Sequence, residues 1–295
     1  MRPRILLLGN TGQLGWELDR SLRIHGDVIA ADYPVINYRE LKSLQALVLD
    51  AKPDVIYNAV AYTAVDRAES EIELAKTVNV DGPGLLAELA KKMGAVLIHY
   101  STDYVFDGKK GMQYQEDDVA KPLNVYGKTK LDGERIIQQV DGDYLIFRTS
   151  CVYSLRRDSF VTKVLKWSRN HEVIKIVSDQ IGNPTWARML AEISSQILGD
   201  LTSKALKDTL KEKRGIYHLA GDGVASRYDW AVTVLEFDAE KDKQVVKEIL
   251  PAKSEEFTTA AERPEFSALD CEKFKNAFGL SLPDWKIALK LAMQS

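Results

Sequence analysis

Residues 5–15 read Ile5-Leu6-Leu7-Leu8-Gly9-Asn10-Thr11-Gly12-Gln13-Leu14-Gly15. An apolar run that breaks into glycines and resumes with helix-forming residues predicts a strand, a tight turn and the start of a helix. Glycines let the backbone approach a ligand, and a helix N-terminus presents unpaired N–H groups at the positive end of its dipole. That combination suits a pyrophosphate, which makes Gly9, Asn10, Thr11, Gly12, Gln13, Leu14 and Gly15 a candidate phosphate-binding loop. A strand-turn-helix without a ligand can show the same spacing, so the rest of the chain has to decide.

Working outward, short apolar runs at 4–8, 28–31, 54–58, 96–100 and 144–147 alternate with helical patterns at 12–22, 41–50, 74–92 and 126–140. Strand-helix alternation of this kind predicts an α/β fold, a doubly wound parallel sheet of the Rossmann type, with ligands beyond the carboxyl ends of the strands. The alternation breaks down after about residue 150. Residues 1–150 are therefore expected to form a dinucleotide-binding domain. Residues 151–295 should form mainly a smaller C-terminal substrate-binding domain, from which some segments could return to the first. Helices are expected there at 185–197, 228–237 and 284–293, the last opening with an acid after Pro283.

Bulk properties exclude several classes. With 295 residues, 45% of them hydrophobic, the chain can bury a core without disulfides or metals. A net charge of -3 argues against a nucleic-acid partner, and the pairs Lys91-Lys92, Lys109-Lys110 and Arg156-Arg157 read as solvated faces. Two cysteines give neither a disulfide framework nor zinc spacing, which fits a reducing, cytoplasmic setting. No apolar run reaches the ~18 residues of a membrane span, and the run at residues 5–8 lacks the length and cleavage site of a signal peptide. His25, His99, His171 and His218 form no local ligand motif and read as structural.

Chemistry is expected at four further places. Asp32, at the end of the second strand, is placed to bond the adenosine ribose hydroxyls and to repel a 2′-phosphate, so NADH should be accepted, with NADPH not excluded. Asn37 and Tyr38 are candidates for the adenine side. Tyr126 and Lys130 are four apart on a helix and share one face. A phenol with an ordinary pKa near ~10 is a reluctant proton donor, and a neighbouring ammonium stabilises the phenolate it leaves. Thr102, in Tyr100-Ser101-Thr102-Asp103-Tyr104, follows a predicted strand and can hydrogen-bond a carbonyl.

The glycine spacing resembles that of the short-chain dehydrogenases/reductases. Across further segments the chain resembles the dTDP-4-dehydrorhamnose reductase family of the extended branch. These are Gly12-Gln13-Leu14-Gly15-Trp16-Glu17, Thr63-Ala64-Val65-Asp66-Arg67-Ala68-Glu69, Asp179-Gln180-Ile181-Gly182-Asn183-Pro184-Thr185 and Arg263-Pro264-Glu265-Phe266-Ser267. The resemblance implies reduction of the C4 ketone of dTDP-4-dehydro-L-rhamnose with NADPH or NADH, in nucleotide-sugar and cell-surface polysaccharide biosynthesis. It implies that Tyr126 protonates the oxygen, that Lys130 holds the phenolate and the nicotinamide ribose, and that Thr102 orients the ketone.

It also places Ala61, Tyr62 and Thr63 beside the dinucleotide. Val65, Thr102, Asp103, Tyr104 and Cys151 would face the sugar, and residues 180–185 the nucleotide. Asn79 resembles an asparagine that organises the proton relay in many short-chain dehydrogenases. Cys151 stands where relatives carry tryptophan, which implies a roomier pocket. Arg188 stands where an acid is expected, which argues against the structural magnesium of some members. A homodimer is one assembly the resemblance allows, and the sequence leaves the oligomeric state open. Other readings stay open: reduction of a related nucleotide deoxysugar, or a non-catalytic role like that of the regulatory subunit of methionine adenosyltransferase. The dehydratases of this group are disfavoured, because Asp103 is followed by Tyr104 and not by glutamate.

Overall fold

Strand β1 (Arg4–Leu8) is buried from Ile5 to Leu8, as an apolar run must be in a sheet covered on both faces. The computed structural model describes residues 2–199 and 203–294. Parallel neighbours of β1 are β2 (Asp27–Ala31) and β3 (Val55–Asn58); β4 (Val96–Thr102) and β5 (Asp143–Thr149) continue the sheet beyond β3. Helices α1 (Gln13–Leu22), α2 (Leu41–Ala51), α3 (Val65–Ala68), α4 (Ile72–Lys76), α5 (Gly82–Met93) and α6 (Val125–Val140) connect them.

The single helix expected over 74–92 is broken. A π-helical turn, Thr77–Asp81, separates α4 from α5. Pro83 has no N–H to donate to the carbonyl of Asn79, which interrupts the α pattern at that point. β4 runs two residues further than expected, paired with β5 as far as Thr102↔Thr149, so Thr102 is the last residue of the strand and not beyond its end.

The second half contributes β6 (Val152–Tyr153), α7 (Phe160–Ser168), β7 (Val173–Val177), β8 (Ile181–Gly182), β9 (Thr185–Trp186), α8 (Ala187–Gln196) and α9 (Ser203–Glu212). It continues through β10 (Gly215–His218), β11 (Ala225–Ser226), α10 (Arg227–Phe237), β12 (Glu248–Ala252), α11 (Glu272–Phe278) and α12 (Trp285–Met293). Asp284 caps α12, accepting from the Lys286 and Ile287 amides.

Several segments beyond residue 150 join the first half, α9 and α11 among them through Leu206, Leu210 and Phe274. β10 pairs in parallel with β5, giving a six-stranded order β10-β5-β4-β3-β1-β2. α8 lies against α1, where the Ser21 hydroxyl donates to the Ala191 carbonyl, and buried Tyr57 donates to the Ser194 carbonyl at 2.7 Å. The remaining lobe has its own core, in which Tyr153, Trp230, Trp186, Trp285 and Leu289 are buried. Strand order reverses between β1 and β3, and the crevice beyond their carboxyl ends is where a doubly wound sheet binds ligands.

Candidate active site

A groove of about 920 Å³ runs along that crevice. The turn after β1 lines it with Gly9, Thr11, Gly12, Gln13 and Leu14, the residue after β2 is Asp32, and the segment after β3 adds Ala59, Val60, Ala61 and Thr63. Its far end holds Thr102, Asp103, Tyr126 and Lys130, and the second lobe closes it with Cys151, Val152, Arg157 and Asp158. Gly9 has φ +86°, and a Cβ on Gly15 would stand 2.0 Å from the Gly9 carbonyl oxygen, so this turn cannot carry side chains at either position. Helix α1 begins after Gly12 without a side-chain cap, leaving its first amides free for an anion. Buried Gln13 Oε1 also lacks a partner.

Asp32 braces the same turn. Its Oδ2 accepts from the Thr11 amide at 3.2 Å and the Thr11 hydroxyl at 2.6 Å, and Oδ1 accepts from the Tyr33 amide at 2.8 Å. Asn10, Gly15, Asn37, Tyr38, Tyr62 and Val65 lie outside the groove lining. Tyr38 is buried and its hydroxyl donates to Asn58 Oδ1, while Asn37 accepts from the Arg39 amide. Tyr62 is clamped through its backbone by Asn79, whose Oδ1 accepts from the Tyr62 amide at 2.9 Å and whose Nδ2 donates to the Tyr62 carbonyl and the Thr129 hydroxyl. The Arg156-Arg157 pair is more than a solvated face: the Arg156 guanidinium lies 3.1 Å from the centroid of the Trp16 ring, and Arg157 lines the groove.

Asn124 starts α6 by accepting from the Gly127 amide, and Tyr126 and Lys130 follow one turn apart. The Tyr126 ring meets Tyr104 edge-on, with centroids 5.8 Å apart. Burial pushes the Tyr126 hydroxyl well above the ordinary phenol range, with Asp103 and Tyr104 adding to the rise and Thr102 opposing it. It is therefore a protonated group, suited to donate.

Lys130 is 1% exposed; its Nζ donates to the Tyr100 carbonyl at 2.6 Å and lies 3.1 Å from His99 Nε2. Desolvation lowers its pKa to about 8, and Glu134 opposes that. The Thr102 hydroxyl donates to Asp103 Oδ1 and accepts from the Tyr104 amide. Asp103 is buried and takes two further hydroxyl donors, from Ser150 and Ser267; burial raises its pKa against them.

A second cleft, of about 950 Å³, opens in the other lobe and meets the groove at Cys151 and Val152. It is lined by Lys163, Lys175, Arg227 and Arg263 together with Phe160, Trp167, Trp230 and Phe257. Such a wall offers cations for phosphates and flat faces for a base. The Arg227 guanidinium lies 5.1 Å from the Phe160 ring and 5.4 Å from Trp230, and Arg263 is held by Asp66 at 2.6 Å.

Sequence reading missed Lys163, Phe160, Trp167 and Arg227, which lie on two separate helices and belong to no local motif. Of residues 180–185, Gln180 lines the cleft, whereas Asn183 and Thr185 are turned inward, with Asn183 accepting from the Leu269 amide. Cys151, at the junction, has φ +48°, a left-handed conformation that costs energy in a non-glycine residue. Glu17 is paired with Arg188 at 3.5 Å. Among the described residues no cluster of three or more His, Cys, Asp or Glu could hold a metal, and no helix is long and apolar enough to cross a membrane.

Comparison with known proteins places this geometry. The family pattern described as RmlD substrate binding domain matches residues 2–295. The chain is 39% identical over 300 residues to a dTDP-4-dehydrorhamnose reductase of Burkholderia thailandensis, covering 99% of this chain and 98% of that protein. It is 40% identical over 294 residues to the Escherichia coli K12 protein of the same name, covering 97% and 95%. A crystal structure of dTDP-4-dehydrorhamnose reductase from Bacillus anthracis in complex with NADP superposes with a TM-score of 0.88 at 30% identity, covering 100% of this chain and 99% of that one.

Proposed function

The chain belongs to the family described as RmlD substrate binding domain, and from that premise we propose that it reduces the C4 ketone of dTDP-4-dehydro-L-rhamnose to dTDP-L-rhamnose with NADPH or NADH. The observation that carries this reading is the position of Tyr126: a half-buried, protonated phenol in the far end of a phosphate-binding groove that meets a basic, aromatic cleft at Cys151 and Val152. The first cavity suits a dinucleotide and the second a nucleoside diphosphate, so a sugar ketone joined to the latter would reach the phenol. Cytoplasmic action and a place in cell-surface polysaccharide biosynthesis follow as expectations.

The uncapped start of α1 and the glycine turn fit the cofactor's phosphates. When bound there, the reduced nicotinamide supplies the hydride for C4. Tyr126 gives its proton to the carbonyl oxygen as charge develops on it, and solvent restores that proton after turnover. Lys130 holds the ribose and, when protonated, stabilises the phenolate. Thr102 orients the ketone; its proton, given to Asp103 in the free enzyme, must turn toward the substrate for this. Arg227, Arg263 and Lys163 would take the diphosphate, and Phe160 and Trp167 would offer faces to the base.

The test is oxidation of NADPH on addition of dTDP-4-dehydro-L-rhamnose. Turnover of this ketone supports the reading; cofactor binding without turnover of any sugar nucleotide removes it in favour of a binding subunit. Asp32→Ala is expected to shift the ratio of kcat/KM values toward NADPH, because it removes both an acceptor for ribose hydroxyls and a repulsion against a 2′-phosphate. Both cofactors should also bind less well, since Thr11 loses its anchor. An unchanged ratio would mean that Asp32 does not reach the ribose.

A further inference from the structure

Behind Lys130 a row of buried polar groups crosses the sheet, from Tyr38 through Asn58 and His99. Its hydrogen-bond polarity can be read from one end. Asn58 Oδ1 accepts from the Val60 amide at 3.2 Å and from the Tyr38 hydroxyl at 3.2 Å. A backbone N–H can only donate, so this end of the Asn58 amide is its oxygen and the other its nitrogen. Asn58 Nδ2 then donates to His99 Nδ1, 3.1 Å away. An imidazole that accepts at Nδ1 and is neutral carries its proton on Nε2.

Neutrality is secured by the surroundings: His99 is fully buried, and both burial and Lys130 hold its pKa well below the ordinary range. The Nε2–H therefore points at Lys130 Nζ, 3.1 Å away. An ammonium there would set donor against donor, whereas an amine accepts the bond and still donates to the Tyr100 carbonyl. Turning the imidazole over would present carbons to both neighbours.

We propose that His99 is a positioning residue for the reaction: its Nε2–H donates to Lys130 Nζ, favours the neutral amine, and so controls when the site carries its cation. The proposal deepens the reading above and rests on it for the role of Lys130. Other groups around the lysine act more weakly or are engaged elsewhere. On α6, Glu134 is tied to Arg148 of β5 and Ser101 of β4, and Tyr126 is a neutral phenol. Beyond β4, Asp103 is engaged by three hydroxyls. β3 presents only the Asn58 amide. His99 is thus the titratable group that faces Nζ directly, beside the Tyr100 carbonyl.

Two measurements test this. Nitrogen-15 NMR of histidine-labelled, cofactor-free protein at alkaline pH should show His99 protonated at Nε2 and bare at Nδ1; the opposite tautomer overturns the proposal. The second is the pH dependence of NADPH affinity. In the parent, affinity should begin to fall near the lysine's pKa of about 8, by about tenfold per pH unit.

In His99→Gln, which can turn a carbonyl toward the ammonium, that limb should move up by about one pH unit; an unmoved limb overturns the proposal. Should His99→Gln fail to fold, the NMR result on the parent decides alone. Neither readout uses the sugar, so failure here is distinguishable from failure of the assigned reaction.

Discussion

Replacing Tyr126 by phenylalanine is expected to lower sugar reduction by about 10²–10⁴-fold, the usual worth of a positioned acid, while leaving NADPH binding nearly unchanged. The change removes one hydroxyl and keeps the ring that packs edge-on against Tyr104. Burial holds that hydroxyl protonated, so it is the proton source that is lost, not a base. Stopped-flow turnover and fluorescence titration of the cofactor separate the two effects. Lys130→Met should behave differently and impair both, because its ammonium serves the phenol and the ribose together. Parent-like turnover by the phenylalanine variant would remove Tyr126 from the mechanism.

Arg148→Met is expected to destabilise the fold by roughly 3–5 kcal/mol, as breaking one side of a buried ion pair does. Arg148 and Glu134 are 4% and 1% exposed, and the guanidinium grips both carboxylate oxygens, with Nη2 to Oε2 at 2.7 Å. Glu134 also accepts from the Ser101 hydroxyl at 2.5 Å, so the pair ties α6 to β4 and β5 one turn beyond Lys130. Removing the arginine alone strands a buried carboxylate. The double change Arg148→Met with Glu134→Leu should therefore recover part of the loss. Urea unfolding checks this; a loss below about 1 kcal/mol for the single variant would show that the pair does not carry that load.

Most of the α/β architecture was legible because it is written locally. The strand-turn-helix at 5–15 and the apolar runs at 96–100 and 144–147 each report burial through their own residues. β10 was not legible: Gly215–His218 is half-exposed at its start and sits at the sheet edge after a long excursion, so nothing local marks it as the sixth strand.

The site divides in the same way. Tyr126, Lys130, Thr102 and the glycine turn sit on short motifs with fixed spacing, and the structure brings them into one groove. Tyr38 and Tyr62 carry the right residue types, but their side chains serve Asn58 and Glu71. Arg227 and Lys163 escaped notice because they converge only through the packing of α7 against α10.

The product tests the assigned reaction most directly. Incubation with NADPH and dTDP-4-dehydro-L-rhamnose, followed by proton NMR of the purified sugar nucleotide, should show dTDP-L-rhamnose formed in step with cofactor oxidation. Recovery of the unchanged ketone, or of the sugar with the opposite configuration at C4, would contradict it.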